Sequence, residues 1–88
     1  MDENQVLRQY ILHELLNGRR DVVLTDDTDL LESGLVDSLA VVRLVAFIEE
    51  RWRIKIPDLE ISVANFQTIA AIAGYVRRRV GSSQAPGQ

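Results

Sequence analysis

One serine, approached through a run of acidic residues, is the side chain of this 88-residue sequence best placed for chemistry. The segment Leu30-Leu31-Glu32-Ser33-Gly34-Leu35-Val36-Asp37-Ser38-Leu39 ends an acidic stretch and sets Ser38 at the first turn of an apolar helix. A hydroxyl there has two uses. Serine and aspartate are common helix caps, because their oxygens accept from N–H groups that the first turn leaves without intrahelical partners. That use needs no function. The same hydroxyl is also a nucleophile, and an anion attached to it would lie where backbone N–H groups and the helix dipole favour negative charge. Two features support the second use. The helix behind Ser38 is the most apolar in the chain, and Leu39 and Val42 beside it fall on the face turned away from the core. We read Ser38 as a covalent attachment point.

Little else in the sequence offers chemistry. His13 is the only histidine; it falls on the first helix with no nucleophile candidate nearby and reads as a solvated side chain. There is no His/Asp/Glu cluster at ligand spacing and no glycine-rich phosphate loop, so no metal site is expected. Triads and paired-carboxylate catalysis lack their parts, so the chain is not expected to be an enzyme. With no cysteine there is neither a disulfide framework nor a thiolate metal site.

Ten basic and thirteen acidic residues give a net charge of −3, which argues against nucleic acid as a partner. Arg77-Arg78-Arg79 lacks the wider basic face and interleaved aromatics of a nucleic-acid surface, and cations suit a helix C-terminus. Between Arg20 and Arg43 there is no basic residue, while Asp21, Asp26, Asp27, Asp29, Glu32 and Asp37 are acidic. Charges of this pattern are usually a solvated loop; where functional, they steer a basic partner toward it. No apolar run approaches the ~20 residues of a membrane span, and the acidic Met1-Asp2-Glu3-Asn4 is unlike a signal peptide. The expected location is cytoplasmic, with no membrane partner.

The elements that must position Ser38 follow from periodicity. Val6, Leu7, Tyr10, Ile11 and Leu15 recur at helical spacing and predict a helix over 4–17, stopped by Gly18. Residues 19–36 form a long loop, whose Val22, Val23, Leu24, Leu30 and Leu31 should turn inward. A second helix runs from about Ser38 to Arg53. Val41, Leu44, Val45, Ile48 and Trp52 form its core stripe; Leu39, Val42 and Ala46 lie opposite, with Arg43 at the border. Apolar residues on that outer face suit a partner, or shelter under the long loop. After the extended Ile54-Lys55-Ile56 and Pro57, a short helical turn is expected over Ser62–Phe66. Thr68 then caps a last helix with a stripe of Ile69, Ile72, Ala73 and Val76, ending near Arg79 or Val80. Residues 81–88, small and polar, read as a disordered tail behind a domain spanning 1–80. The fold class is all-α, a four-helix bundle of three main helices and one short one.

At this point the sequence resembles a known family, the acyl and peptidyl carrier proteins. The resemblance covers nearly the whole domain through Val80. It is carried by Asp29-Leu30-Leu31-Glu32-Ser33-Gly34-Leu35-Val36-Asp37-Ser38-Leu39, Glu49-Glu50-Arg51-Trp52, Ile54-Lys55-Ile56-Pro57-Asp58 and Asn65-Phe66-Gln67-Thr68-Ile69. It implies that Ser38 receives 4′-phosphopantetheine from coenzyme A, with Asp37 helping to position a phosphopantetheinyl transferase and its Mg²⁺. Acyl or aminoacyl groups would then ride as thioesters on the arm. Departures narrow the resemblance. Fatty-acid carriers usually have acids where this chain has Ala40 and Arg43, and one residue, not Leu35-Val36, between the glycine and Asp-Ser. From Asp37 to Arg53 the acids Asp37, Glu49 and Glu50 balance Arg43, Arg51 and Arg53, so the helix is neutral. The form is more similar to discrete carriers loaded by stand-alone adenylate-forming ligases in specialised-metabolite pathways: D-alanyl, prolyl/pyrrolyl and unusual-extender carriers, Arg43 matching the prolyl/pyrrolyl type best. On that reading Leu39, Val42, Arg43 and Ala46 recognise partners, among them the ligase and downstream tailoring or condensing enzymes, and the carrier is a monomer. A fatty-acid carrier and an unmodified helical interaction module are the alternatives.

Overall fold

The computed structural model describes residues 2–19 and 21–83. Its elements, all helical among these residues, are α1 (Glu3–Tyr10) running on into a π turn (Ile11–Leu15), α2 (Ser38–Trp52), a 3₁₀ turn (Asp58–Glu60), α3 (Val63–Phe66) and α4 (Ile69–Ser83). The all-α bundle expected from the sequence is therefore observed.

The Asp2 carboxylate accepts the Gln5 N–H at 2.9 Å and starts α1. Leu7 and Ile11 point into the core, but the next core residue is Leu16, not Leu15, which is half-buried. The π turn is the reason: Leu16 N–H reaches back five residues to Ile11 O at 2.9 Å, and the wider turn advances the buried face by one position. Asn17 (φ 56°) and Gly18 (φ 70°) then end the helix in left-handed conformation, with Gly18 N–H on Leu12 O at 2.8 Å. Glycine adopts that conformation without a steric penalty.

The long loop covers the core with Leu24, Leu30 and Val36, all buried. Val23 does not turn inward; it is 82% exposed. In an extended run successive side chains alternate in direction, so Val22 and Val23 cannot both follow Leu24 inward. In α2 the stripe centres on Leu44 and Ile48, with Val41, Val45 and Trp52 half-buried beside them. Arg53 (φ 57°) ends α2 in left-handed conformation. The Glu49 carboxylate then accepts Ile56 N–H at 2.8 Å, holding the link in which Ile54 and Ile56 are buried and Lys55 exposed. Ser62 Oγ caps α3 through Asn65 N–H, and Thr68 Oγ1 caps α4 through Ala71 N–H at 3.0 Å. Ile69, Ile72, Ala73 and Val76 are completely buried.

The end of α4 differs from expectation. The helix passes Gly81 and reaches Ser83, beyond the expected end near Arg79 or Val80; residues 84–88 lie outside the described residues. Val80 packs against the core and anchors the final turn, and glycine only weakens a helix interior, by about 1 kcal/mol. Arg77-Arg78-Arg79 thus sits inside the helix, and two of its members make tertiary ion pairs, Arg77 with Glu3 and Arg79 with Glu60.

Candidate functional site

Ser38 is the first residue of α2 and is exposed. Asp37 is the helix's N-cap, in extended conformation, its Oδ1 accepting Ala40 N–H at 2.8 Å while its backbone carbonyl accepts Val41 N–H at 2.8 Å. So the aspartate and not the serine serves as the cap, which leaves the Ser38 side chain outside the capping geometry. The first turn carries no acidic residue beyond that cap. An anion joined to the serine oxygen would meet the N–H end of a 15-residue helix, where such charge is stabilised.

The turn that leads into Ser38 is closed by Val36 N–H on Leu30 O at 2.9 Å and by Glu32 N–H on Asp29 Oδ1 at 2.8 Å. The Glu32 N–H, then the Gln67 amide, hold the Asp29 carboxyl below the usual aspartate range. Two other acids of the loop are also engaged: Asp26 takes Arg8 and the Asn4 amide, and Asp21 takes Arg19.

One turn along α2 from Ser38 begins an open groove of about 620 Å³. Val41, Val42, Val45 and Glu49 form one wall; Lys55, Ile56, Pro57, Asp58 and Ile61 form the other. The second wall is braced from behind, since the Glu60 carboxylate accepts from Tyr75 Oη and from Arg79 Nη1, the latter at 3.1 Å. Burial first, then the Glu60 carboxylate, raises the Tyr75 phenol above its ordinary value. These residues fit a covalent phosphodiester with a flexible extension: an exposed hydroxyl, a helix N-terminus and an adjoining groove of mixed polarity.

A family model described as the phosphopantetheine attachment site matches residues 5–76. The chain belongs to this family of phosphopantetheine-bearing carriers. Its cofactor is covalently attached 4′-phosphopantetheine, and such carriers are not themselves enzymes. The carrier is 56% identical over 68 residues to the lincomycin biosynthesis protein LmbN of Streptomyces lincolnensis, covering 77% of this chain and 24% of LmbN. It therefore spans about a quarter of that relative's length. It is 35% identical to the probable acyl carrier protein PigG of a Serratia strain, with 82% of each chain covered. A solved chain described as "Crystal structure of FAD-dependent dehydrogenase" superposes with a TM-score of 0.73 at 37% identity, over 80% of this carrier and 97% of that chain.

The residues singled out for partner recognition are all exposed on α2, Leu39 at 70% and Val42 at 64%. They fall at i, i+3, i+4 and i+7 along one exposed stripe of the helix, with depressions on both of its flanks. Val42 borders the groove whose far wall runs from Lys55 to Ile61. Arg43 lies on the other side, in a depression with Leu15, Leu35 and Leu39, and again in one with Tyr10, Ala46 and Phe47. There the Tyr10 and Phe47 rings stack at 4.0 Å and Tyr10 Oη donates to Arg43 O at 3.3 Å. Leu59, 95% exposed on the 3₁₀ turn, and Val63 on α3 add apolar surface beyond the groove; no spacing in the sequence marked either. The Asp29–Gln67 contact was also not legible, since its partners are 38 positions apart. His13 is exposed on the π turn, as expected. Among the described residues no metal-binding cluster occurs, and no helix is long and apolar enough to cross a membrane.

Proposed function

We propose that Ser38 carries the 4′-phosphopantetheine and that the chain acts as a discrete acyl or aminoacyl carrier in a specialised-metabolite pathway, loaded by a stand-alone adenylate-forming ligase. The observation that carries this reading is the exposed Ser38 at the start of α2 with Asp37 already in the capping role. In the attachment step the Ser38 oxygen attacks the β-phosphorus of coenzyme A. The pyrophosphate bond breaks, adenosine 3′,5′-bisphosphate leaves, and a base of the transferase takes the hydroxyl proton. Asp37 Oδ1 is engaged in the cap, so Oδ2 is the atom offered to the transferase and its Mg²⁺. When bound, the arm supplies a thiol that this cysteine-free chain lacks, and a flexible tether that raises the cargo's effective concentration at each partner. The domain assignment, residues 1–80, and a cytoplasmic, monomeric carrier belong to the same proposal.

Two observations support the specialised pathway over fatty-acid synthesis. LmbN, by name a lincomycin biosynthesis protein, matches at 56% identity, and Arg43 lies exposed on a charge-balanced α2. The FAD-dependent dehydrogenase structure favours one cargo within that reading. Since 80% of this chain spans 97% of the matched chain, that chain is itself of carrier size. A flavin-dependent dehydrogenase is therefore the downstream partner we propose, with an aminoacyl cargo of the prolyl type, whose conversion to pyrrolyl is a dehydrogenation.

The test is mass spectrometry after incubation with coenzyme A and a broad-specificity transferase. Wild type should gain one phosphopantetheine and Ser38→Ala none. An unmodified wild type beside an active control would reject the attachment site and leave the unmodified interaction module. Loading assays of the modified protein with candidate ligases and acids then separate prolyl from fatty-acyl cargo.

A further inference from the structure

We infer that Gln67, at the junction of α3 and α4, is a positioning residue for Ser38: it clamps to the body of the domain the turn that presents the serine to its transferase. The inference rests on the reading that Ser38 is the modified residue.

Residues 21–36 contain turns but no helix or strand, so no regular ladder fixes where α2 begins. The local bonds of the turn, Val36 N–H to Leu30 O and Glu32 N–H to Asp29 Oδ1, set its shape. They do not tie it to the rest of the domain. Gln67 does so twice. Its backbone carbonyl accepts Leu30 N–H at 2.8 Å, and its Nε2 donates to Asp29 Oδ2 at 3.1 Å. Gln67 has a fixed place of its own: it closes α3 with helical backbone (φ −68°, ψ −37°), and the next residue, Thr68, caps α4. Leu30, held by the clamp, and Val36 are both buried, and Ser38 follows Val36 by two positions.

A turn-capping role alone would need only the backbone carbonyl of Gln67. The side-chain amide adds a second point of attachment, made to a carboxylate and therefore stronger than a neutral pair. Two points restrict rotation as well as translation, which is what presentation of one hydroxyl requires. The Asp29 carboxylate has both oxygens occupied, one by the turn and one by Gln67, so it couples turn shape to turn placement.

The experiment measures transferase KM and kcat for the carrier in wild type, Gln67→Ala, Gln67→Glu, Asp29→Asn and the double variant Asp29→Asn/Gln67→Glu. Gln67→Glu opposes two carboxylates and should raise KM about fivefold with kcat nearly unchanged, because a smaller fraction of molecules presents Ser38 correctly. Gln67→Ala, which adds no charge, should raise KM about threefold. The double variant keeps the net charge and reverses donor and acceptor, and should return KM close to wild type. Arg77→Ala, which loses the Glu3 ion pair and reaches the loop only through Asn4 and Asp26, supplies a surface-destabilised control whose KM stays at the wild-type value. Unchanged KM in both Gln67 single variants, or failure of the double variant to rescue it, would overturn the inference. So would a KM that rises equally in Arg77→Ala, since it would then be tracking stability. If wild type is modified and Ser38→Ala is not, such a result removes the role of Gln67 and leaves the attachment site standing.

Discussion

Asp37 caps α2, and a pair of substitutions separates that cap from the role proposed for its charge in the transferase reaction. Its Oδ1 accepts Ala40 N–H at 2.8 Å from an N-cap backbone (φ −91°, ψ −174°), and its charge is exposed beside Ser38. Asp37→Ala removes both. Loss of an N-cap to alanine costs about 1 kcal/mol, and the exposure of this cap lets water replace part of the bond, so the larger reported values do not apply. For a domain of this size that is a fall in Tm of about 4–8 °C. Asp37→Asn keeps an acceptor, since asparagine caps as well as aspartate. It loses only the attraction between a carboxylate and the first turn, about 0.3–1 kcal/mol.

The assay has two arms. Thermal unfolding followed by circular dichroism gives the stability difference in the unmodified proteins. Initial rates of phosphopantetheinylation, read by mass spectrometry well below every midpoint, give the functional difference. Asp37→Ala should melt lower than Asp37→Asn, while both lose about tenfold or more in modification rate, equivalent to ~1.4 kcal/mol in the transition state. Modification of Asp37→Asn at the wild-type rate would refute a role for the carboxylate charge in the transferase reaction. Wild-type melting of Asp37→Ala would refute the cap, and with it the argument that Asp37 frees the Ser38 side chain.

Arg43→Glu should lower kcat/KM for loading by the cognate ligase about tenfold, ~1.4 kcal/mol, while circular dichroism and phosphopantetheinylation stay as in wild type; unchanged ligase kinetics would remove Arg43 from the recognition surface. Ile72→Ala empties a fully buried position of α4 and should cost about 2–5 kcal/mol in a urea titration, whereas Leu59→Ala, at an exposed position, should stay within about 0.5 kcal/mol. Asp29 has a depressed folded-state pKa, so its contribution to stability is full above its unfolded value of about 4 and is lost as pH falls through the lower folded value. The Tm advantage of wild type over Asp29→Asn should therefore shrink on acidification; an advantage that grows instead would contradict the Glu32 and Gln67 hydrogen bonds.

Regular spacing was legible and irregular backbone was not. The α4 stripe Ile69, Ile72, Ala73 and Val76 is completely buried because four residues at helical spacing have one face to share. Leu39 and Val42 are exposed for the same reason, on the face opposite Leu44 and Ile48. The π turn broke the rule in α1: an extra residue in one turn leaves no mark in the pattern of apolar residues, and Leu16 took the position that helical spacing gave to Leu15. Val23 failed differently: the alternation of an extended run sends it out between Val22 and Leu24, and loop composition did not reveal that the run is extended. At the site, Ser38 and Asp37 were legible as neighbours in a cap sequence. The far wall of the groove and the Gln67 clamp depend on how the chain returns across the bundle, and local sequence carries no record of that.

The acidic loop shows how structure alters a charge argument. In the sequence, six carboxylates without an intervening base form a one-signed field directed at a basic partner. In the folded chain Asp21 pairs with Arg19 and Asp26 with Arg8, while Asp29 is taken by a backbone N–H and the Gln67 amide. An ion pair is a dipole, and its field beyond a Debye length of about 8 Å is small. Steering toward Ser38 therefore falls mainly to Asp29, Glu32 and Asp37, close to the serine itself, with Asp27 farther back. On the proposed reading, selectivity among partners rests on short-range features of α2: Val42 on the groove side, and Arg43 with Ala46 over the Tyr10–Phe47 stack.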